Sequence, residues 1–258
     1  LEKITEILKP FKKISLTDLN SVKLLDRTDI KFATSDLKLS NLLKQLSADY
    51  KVLSINNEYE FPYRTLYYDT PDLAMYLKHH NENLNRFKIR ERAYLNEKKC
   101  FLEVKFKNNK GRTIKERILR TETSNEFSAT EASFINEKTP YSANLLEAKV
   151  LVKYSRITLV NKDNTEKITI DSDIRFSGND LNQEMKNLII VEVKQSVRSR
   201  SAILSILRSL KITQVSFSKY CLGINFLYPS VKKNNFKEKL ITLNKIINDT
   251  SFIHIADI

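Results

Sequence analysis

Apolar and charged residues alternate with a period of two through much of the chain, and this pattern predicts strands. Lys31–Thr34, Tyr50–Ile55, Tyr63–Asp69, Leu84–Leu95, Lys99–Lys107, Thr113–Arg120, Val150–Val160, Glu166–Phe176 and Leu188–Lys194 read this way, with Asn161–Asn164 as a hairpin turn. Helical spacing marks other stretches. Residues 1–25 form short amphipathic pieces, and Ser35 or Asp36 caps a helix running to about Ala48. The pattern is helical again between Thr123 and Lys149, over Ser199–Leu210 and over Ser216–Leu227, and a basic amphipathic tail begins at Val231. Pro71, just after Asp69 and Thr70, suits the first turn of a short helix. Many consecutive antiparallel strands with helices at the ends predict an α+β class. No repeat or Pro/Gly/Ser linker divides the chain, so one domain is expected over residues 1–258, with its core over about 25–228 and the tail over 231–258.

The identity of the alternating residues is more informative than the alternation. Arg86, Lys88, Arg90 and Arg92 share one face of their strand, opposite Phe87 and Ile89. Glu103, Lys105 and Lys107 oppose Leu102, Val104 and Phe106, and Thr113, Lys115 and Arg117 oppose Ile114 and Ile118. Tyr154, Arg156 and Thr158 share a face, as do Thr169, Asp171, Asp173 and Arg175, Glu192 and Lys194, and Arg27, Asp29 and Lys31. An ordinary sheet with one solvated face explains any single strand of this kind. The set is harder to explain that way, because facing like charges repel by about 0.2–1 kcal/mol per pair. Cations recur at strand centres one strand after another, which implies an anion among them. Closing such a sheet turns the apolar residues outward under helices and makes the charged face a lumen.

Composition narrows the chemistry. The 258 residues carry 44 Lys+Arg against 31 Asp+Glu, a formal charge of +13, which points to a polyanionic partner: nucleic acid, a phosphate-rich small molecule or an anionic membrane face. Only three glycines occur, far apart at Gly111, Gly178 and Gly223, so neither a Walker A loop nor a dinucleotide fingerprint is present. Phosphate must be held by side chains. Cys100 and Cys221 are too few for a disulfide framework or a cysteine zinc site and read as two reduced thiols. His79 and His80 are adjacent and diverge, and His254 is near the end, which argues against a histidine metal site or a Ser-His-Asp triad. No apolar run approaches the roughly 20 residues that span a bilayer. The start lacks a signal-peptide core, and the missing Met leaves an upstream segment open.

Eight short segments, in order, carry a resemblance. They are Arg27-Thr-Asp-Ile-Lys31-Phe, Tyr67-Tyr-Asp-Thr, Lys88-Ile-Arg90-Glu-Arg, Leu102-Glu-Val-Lys105, Tyr154-Ser-Arg156, Asp171-Ser-Asp-Ile-Arg175, Ile190-Val-Glu192-Val-Lys and Ser216-Phe-Ser-Lys219-Tyr. Together they resemble the polyphosphate polymerase domain of the vacuolar transporter chaperone family, within the CYTH-like triphosphate tunnel metalloenzymes. The resemblance implies an antiparallel eight-stranded β-barrel tunnel with flanking helices. It implies that Lys31, Lys88, Arg90, Lys105, Arg156 and Arg175 grip triphosphate and the growing chain, and that Lys219, on a C-terminal helix, closes over them. Arg92, Lys115, Arg117 and Lys194 join the phosphate-binding set, and Tyr154 is expected to contact the nucleotide base. Glu192 is the expected ligand of Mn²⁺ or Mg²⁺, with Asp29 and Glu103 as helpers. The superfamily's opening E-x-E-x-K strand here has Arg27, Asp29 and Lys31 at those positions. Loss of the first carboxylate resembles the polymerase branch and not the triphosphatase branch.

The implied activity is ATP-dependent growth of inorganic polyphosphate in the cytoplasm, either free or at the cytoplasmic face of a membrane beside a membrane-embedded partner that takes up product. A tripolyphosphate or nucleoside triphosphate hydrolase of the same fold, and a non-catalytic polyphosphate-binding module, are the rival readings. No specific nucleic-acid partner is expected, since the cations sit at strand centres and no recognition-helix or RNP signature occurs.

Overall fold

The computed structural model describes residues 3–22, 27–120, 126–196 and 201–248. The chain order is α1 (Ile4–Leu8), β1 (Lys12–Ile14), α2 (Leu16–Ser21), β2 (Arg27–Ser35), α3 (Asp36–Leu46), β3 (Tyr50–Leu53), β4 (Phe61–Asp69) and α4 (Ala74–His80). It continues with β5 (Arg86–Tyr94), β6 (Lys99–Lys107), β7 (Thr113–Arg120), α5 (Ala129–Lys138), β8 (Glu147–Asn161), β9 (Glu166–Gly178), β10 (Leu181–Met185) and β11 (Leu188–Ser196). It ends with α6 (Ala202–Ser209), β12 (Thr213–Val215), α7 (Lys219–Leu227) and α8 (Lys237–Ile247). The α+β class holds, with helices flanking one large sheet that is antiparallel except where β1 runs parallel to β3. The short strands β1, β10 and β12 were not expected, and Lys12–Ile14 is a strand where helix was predicted. Ser199 of the predicted helix and residues 249–258 of the tail lie outside the described residues.

The sheet has twelve strands, ordered β12-β2-β11-β9-β8-β4-β5-β6-β7, with β1, β3 and β10 branching from that path. It is not the closed eight-stranded barrel that was expected. Closure would need β7 to reach β2, but β2 pairs β11 on one side, and β12 takes Lys31–Ala33 on the other. The sheet nevertheless curls strongly. Strands β6 and β11 are five steps apart on the path, about 24 Å if flat, yet Glu192 on β11 acts on Lys105 on β6, and Lys31 on β2 acts on Lys88 on β5.

The convex side packs under helices. Phe32, Ile157, Ile170, Val191 and Val193 meet Leu39, Leu42 and Leu46 of α3 and Ile203 and Leu207 of α6. Ile89, Leu102 and Val104 meet Ile135 of α5, whose capping box joins Ser128 and Glu131. The concave side is apolar at one end, where Val150, Val152, Ile174, Phe176 and Ile190 receive α7 and α8 through Tyr220, Ile224, Leu227 and Leu243.

In β9 a bulge makes this division possible. Lys153 pairs Arg175 while Ser155 pairs Ser172, so β9 has one extra residue, and Asp173 there takes φ 50°. Side chains change faces across it. Asp171 stays on the charged concave surface, Ile174 and Phe176 turn inward under α7, and Arg175 turns outward. The predicted shared face of Asp171, Asp173 and Arg175 is therefore broken. The helix after Pro71 starts later than expected, at Ala74. Its first amides are met by Asp69, whose carboxylate accepts from Met75 N and Tyr76 N at 2.9 Å, and by Thr70 Oγ1, which accepts from Ala74 N at 2.9 Å. Asp69 also accepts from Tyr220 Oη of α7 and so ties α4 to α7.

Gly223 has no room for a methyl group: a Cβ there would be 2.4 Å from Val150 Cγ1. Gly223→Ala is expected to lift α7 from the sheet and destabilise the fold by about 1–3 kcal/mol. Thermal denaturation checks this, and an unchanged Tm would mean that α7 is not seated on Val150.

Candidate functional site

The expected cations converge on the concave face because successive strands present the same parity. Across β5, β6 and β7, Lys88 faces Lys105 and Lys105 faces Lys115 in direct cross-strand register. The next row places Tyr67, Arg90, Glu103 and Arg117 side by side. From the other wall come Arg156 on β8, Lys31 on β2 and Lys194 on β11, and Lys219 enters from the first residue of α7, whose N-cap is Ser218.

Three carboxylates knit this charge together. Glu103, fully buried, meets Arg90 Nη2 at 2.6 Å and Lys115 Nζ at 2.5 Å. Asp171 accepts from Arg156 through two bonds, Nε at 2.6 Å and Nη2 at 2.8 Å, and also from Lys219 Nζ. Glu192 lies between Lys31 Nζ at 3.3 Å and Lys194 Nζ. Burial alone would raise all three carboxyls, but the cations win. Arg90, Arg92 and Lys115 hold Glu103 far below the usual range, Arg156 and Lys219 bring Asp171 to about 2, and Lys194 and Lys31 hold Glu192 well down.

The lysines show the reverse effect. Arg90 foremost, with burial and Arg92, holds Lys105 well below an ordinary lysine. Burial, with Lys31, Arg86 and Arg90, pushes Lys88 down to about 8. Burial also lowers Lys115 and Lys194 against the pull of their carboxylates. Lys88 and Lys105 have no carboxylate partner among the described residues. The face is charged beyond what the protein itself neutralises.

Some expected site residues have other places. Arg175 is outside the concave face, largely exposed and paired with Glu184 at 3.1 Å, because the Asp173 bulge reverses its side. Tyr154 is buried, stacked on Tyr63 at 5.3 Å and engaged by Arg156 and Lys219, so its ring supports cations and is not open to a base. Arg92 reaches Thr65 Oγ1 at 3.3 Å, and Arg117 stands over the ring of Phe101 at 4.4 Å. The side chain of Arg27 lies outside the described residues.

Four contributors were not singled out for the site from sequence: Asp171, Tyr63, Thr65 and Tyr67, whose hydroxyl accepts from Arg90 Nη1 at 3.3 Å. Their parity with neighbouring charged residues was the available signal.

The carboxylates do not build a resident metal centre. Among the described residues no three His, Cys, Asp or Glu side chains converge as metal ligands. Glu103 is committed to Arg90 and Lys115, and Asp29 lies where it supports the charge of Lys194. Glu192 suits only an ion that brings most of its ligands as phosphate oxygens, as Mg²⁺ commonly does.

Fold and site together define a curled-sheet protein whose concave face gathers more cations than the carboxylates that pair with them. A sequence model of the VTC domain matches residues 26–228, and the chain belongs to the VTC domain family. No curated protein matches it by sequence. Similar solved structures include a Hippeastrum protein described as a candidate adenylyl cyclase with a dominant triphosphatase activity, 14% identical, covering 78% of this chain and 96% of that one at TM-score 0.49. A Vibrio parahaemolyticus protein described as a candidate adenylate cyclase is 13% identical, with 78% and 99% covered at TM-score 0.45. A Pyrococcus horikoshii protein is 11% identical, with 77% and 96% covered at TM-score 0.46. No helix among the described residues is long and apolar enough to cross a membrane.

Lys88 gives a pH test. In the free protein it loses its proton as pH rises through about 8, whereas a bound polyanion favours the charged form. Tripolyphosphate binding at about pH 8.5 should therefore take up protons, and affinity should fall as pH climbs above that point. The folding effect has the opposite sign, since the cost of a charged Lys88 is present below about pH 8 and relieved above it. Calorimetry in buffers of different ionisation heat measures the uptake; none at all would mean that Lys88 stays charged in the free protein.

Proposed function

We propose that this protein is a polyphosphate polymerase that transfers the γ-phosphate of ATP to the end of an inorganic polyphosphate chain. The observation that carries this reading is the facing row Lys88–Lys105–Lys115, three like charges set in register with lowered pKa values. Such a row is costly empty and favourable when an anion lies along it.

The choice of transfer over hydrolysis rests on the carboxylates of the face, which among the described residues are committed to cations. Glu103, Asp171 and Glu192 are all ion-paired. His79 is pushed down to about 2 by burial and by Lys88, Arg86 and Lys107, which leaves it a very weak base. A water nucleophile needs a proton acceptor, whereas a terminal phosphate oxygen is already ionised. In the proposed step that oxygen bonds to the γ-phosphorus, the bond from the γ-phosphorus to the bridging oxygen breaks, and the electron pair leaves with ADP. Arg92 orients phosphate through its guanidinium fork, Arg90 and Arg156 are fixed charges pinned by Glu103 and Asp171, and Lys31, Lys88, Lys105, Lys115 and Lys219 spread positive charge over the transferred group. Mn²⁺ or Mg²⁺ arriving with the nucleotide would supply charge neutralisation between donor and acceptor, with Glu192 as its protein carboxylate.

The test is incubation of the purified chain with γ-labelled ATP and Mn²⁺, with and without a short polyphosphate primer, followed by gel separation. A ladder of lengthening acid-labile product is expected. Free phosphate alone would instead indicate a hydrolase, and binding without turnover a polyphosphate-binding module. Glu192→Gln is expected to lower turnover by about 100-fold or more while retaining tripolyphosphate binding. Normal activity in that variant would remove Glu192 from the reaction.

A further inference from the structure

The concave wall is charged row after row until one end. Arg86 faces Lys107, Lys88 faces Lys105, which faces Lys115, and Arg90 faces Glu103, which faces Arg117. The following row differs: Arg92 faces Phe101, and Phe101 faces Leu119. Phe101 has the parity of Glu103 and Lys105, and Leu119 that of Lys115 and Arg117, so both belong to the concave side. Leu119 is 58% exposed there. Neither side chain serves a phosphate chain, and among the described residues no helix covers Leu119. Tyr94 meets Phe101 edge-on at 5.9 Å, and Tyr63 lies 5.1 Å from Tyr94.

We propose that the Phe101–Leu119 row is the shelf for the nucleobase of the triphosphate donor, stacked there while its phosphates extend over the arginine and lysine rows. This rests on the nucleotide-dependent reading above. Placement supports it, since rows on one face are about 7 Å apart and the shelf adjoins Arg92, Arg90 and Arg117, whose positive charges lie where the donor's phosphates would begin. Chemistry supports it too: Arg117 lies over the Phe101 ring at 4.4 Å, so a guanidinium plane backed by an aromatic ring, with the exposed Leu119 beside it, offers an uncharged π-system a stacking surface. Tyr154, already covered by Tyr63, Arg156 and Lys219, does not. The two floor residues carry no hydrogen-bonding group to read base edges. The shelf therefore takes purine nucleotides without strong choice between adenine and guanine.

The experiment is calorimetric binding of ATP, GTP and tripolyphosphate to the purified chain and to Phe101→Ala and Leu119→Ser. In the unaltered protein all three bind, ATP and GTP within a few-fold of each other. Each variant is expected to bind ATP about tenfold more weakly and tripolyphosphate unchanged. Retained tripolyphosphate binding also reports that a variant is folded, and the exposed Leu119 gives a variant that removes little packing. If the unaltered protein fails to bind tripolyphosphate, the cationic face is not a triphosphate site and the proposed function falls with the shelf. If tripolyphosphate binds but Leu119→Ser and any folded Phe101→Ala hold ATP as tightly as before, the shelf alone is overturned. Parallel loss of ATP and tripolyphosphate in Leu119→Ser, or a strong preference for one purine, overturns it as well.

Discussion

Like charge crowded onto one curved face is the constraint to which the rest of the molecule answers. The protein contains it by sharing each carboxylate between two cations. Glu103 joins Arg90 of β5 to Lys115 of β7, Asp171 joins Arg156 of β8 to Lys219 of α7, and Glu192 joins Lys31 of β2 to Lys194 of β11. Most of these links bridge different elements, so they set the curvature of the wall as well as its charge. A desolvated ion pair adds little net stability, but removing one partner strands the other charge at a cost of several kcal/mol, about 3–5. Geometry and charge balance are thus held by the same bonds. The balance stops short of neutrality, since Lys88 and Lys105 have no carboxylate partner among the described residues.

The same strands must also hold apolar helices on the same concave side; β11 does so by plain alternation, with Ile190 toward α7 and Glu192 toward the charge, whereas β9 uses a bulge. The extra residue at Asp173 lets β9 show Asp171 to the charged half and Ile174 and Phe176 to α7. A register shift opposite Tyr67 and Tyr68 adjusts β8 at its start. Helix α7 is then both packing and chemistry: Tyr220, Ile224 and Leu227 fill the apolar half, while Lys219 at its first turn reaches Asp171. The buried Asp69–Tyr220 bond fixes the helix that carries this lysine.

What was legible in the sequence follows from this division. The alternation of Arg86, Lys88, Arg90 and Arg92, of Glu103 and Lys105, and of Lys115 and Arg117 survives intact because β5, β6 and β7 pair in regular register. Arg175 was misplaced because a bulge of one residue leaves little trace in hydropathy while reversing every side chain beyond it. The open sheet was missed because β12, three residues long, carries no strand pattern of its own and is defined by pairing with β2. Tyr154 reads as an aromatic beside a cation in either role. Only its burial under Tyr63, Arg156 and Lys219 tells a support from an open stacking surface.

The mixture of arginine and lysine has a meaning for the proposed reaction. A chain that grows by one unit must shift its phosphates against the wall after each transfer. Arg90 and Arg156, pinned by Glu103 and Asp171, are fixed charges that cannot follow such a shift, whereas lysines are mobile point charges that follow an anion through small displacements. The facing row of Lys88, Lys105 and Lys115 is therefore suited to a substrate that changes register, and the arginines to the group that must be held still while bonds change. A hydrolase has no need of the first property. With the carboxylates committed to cations and His79 held neutral, the face has alignment and charge to offer, and transfer between two phosphates that are already ionised asks for little else.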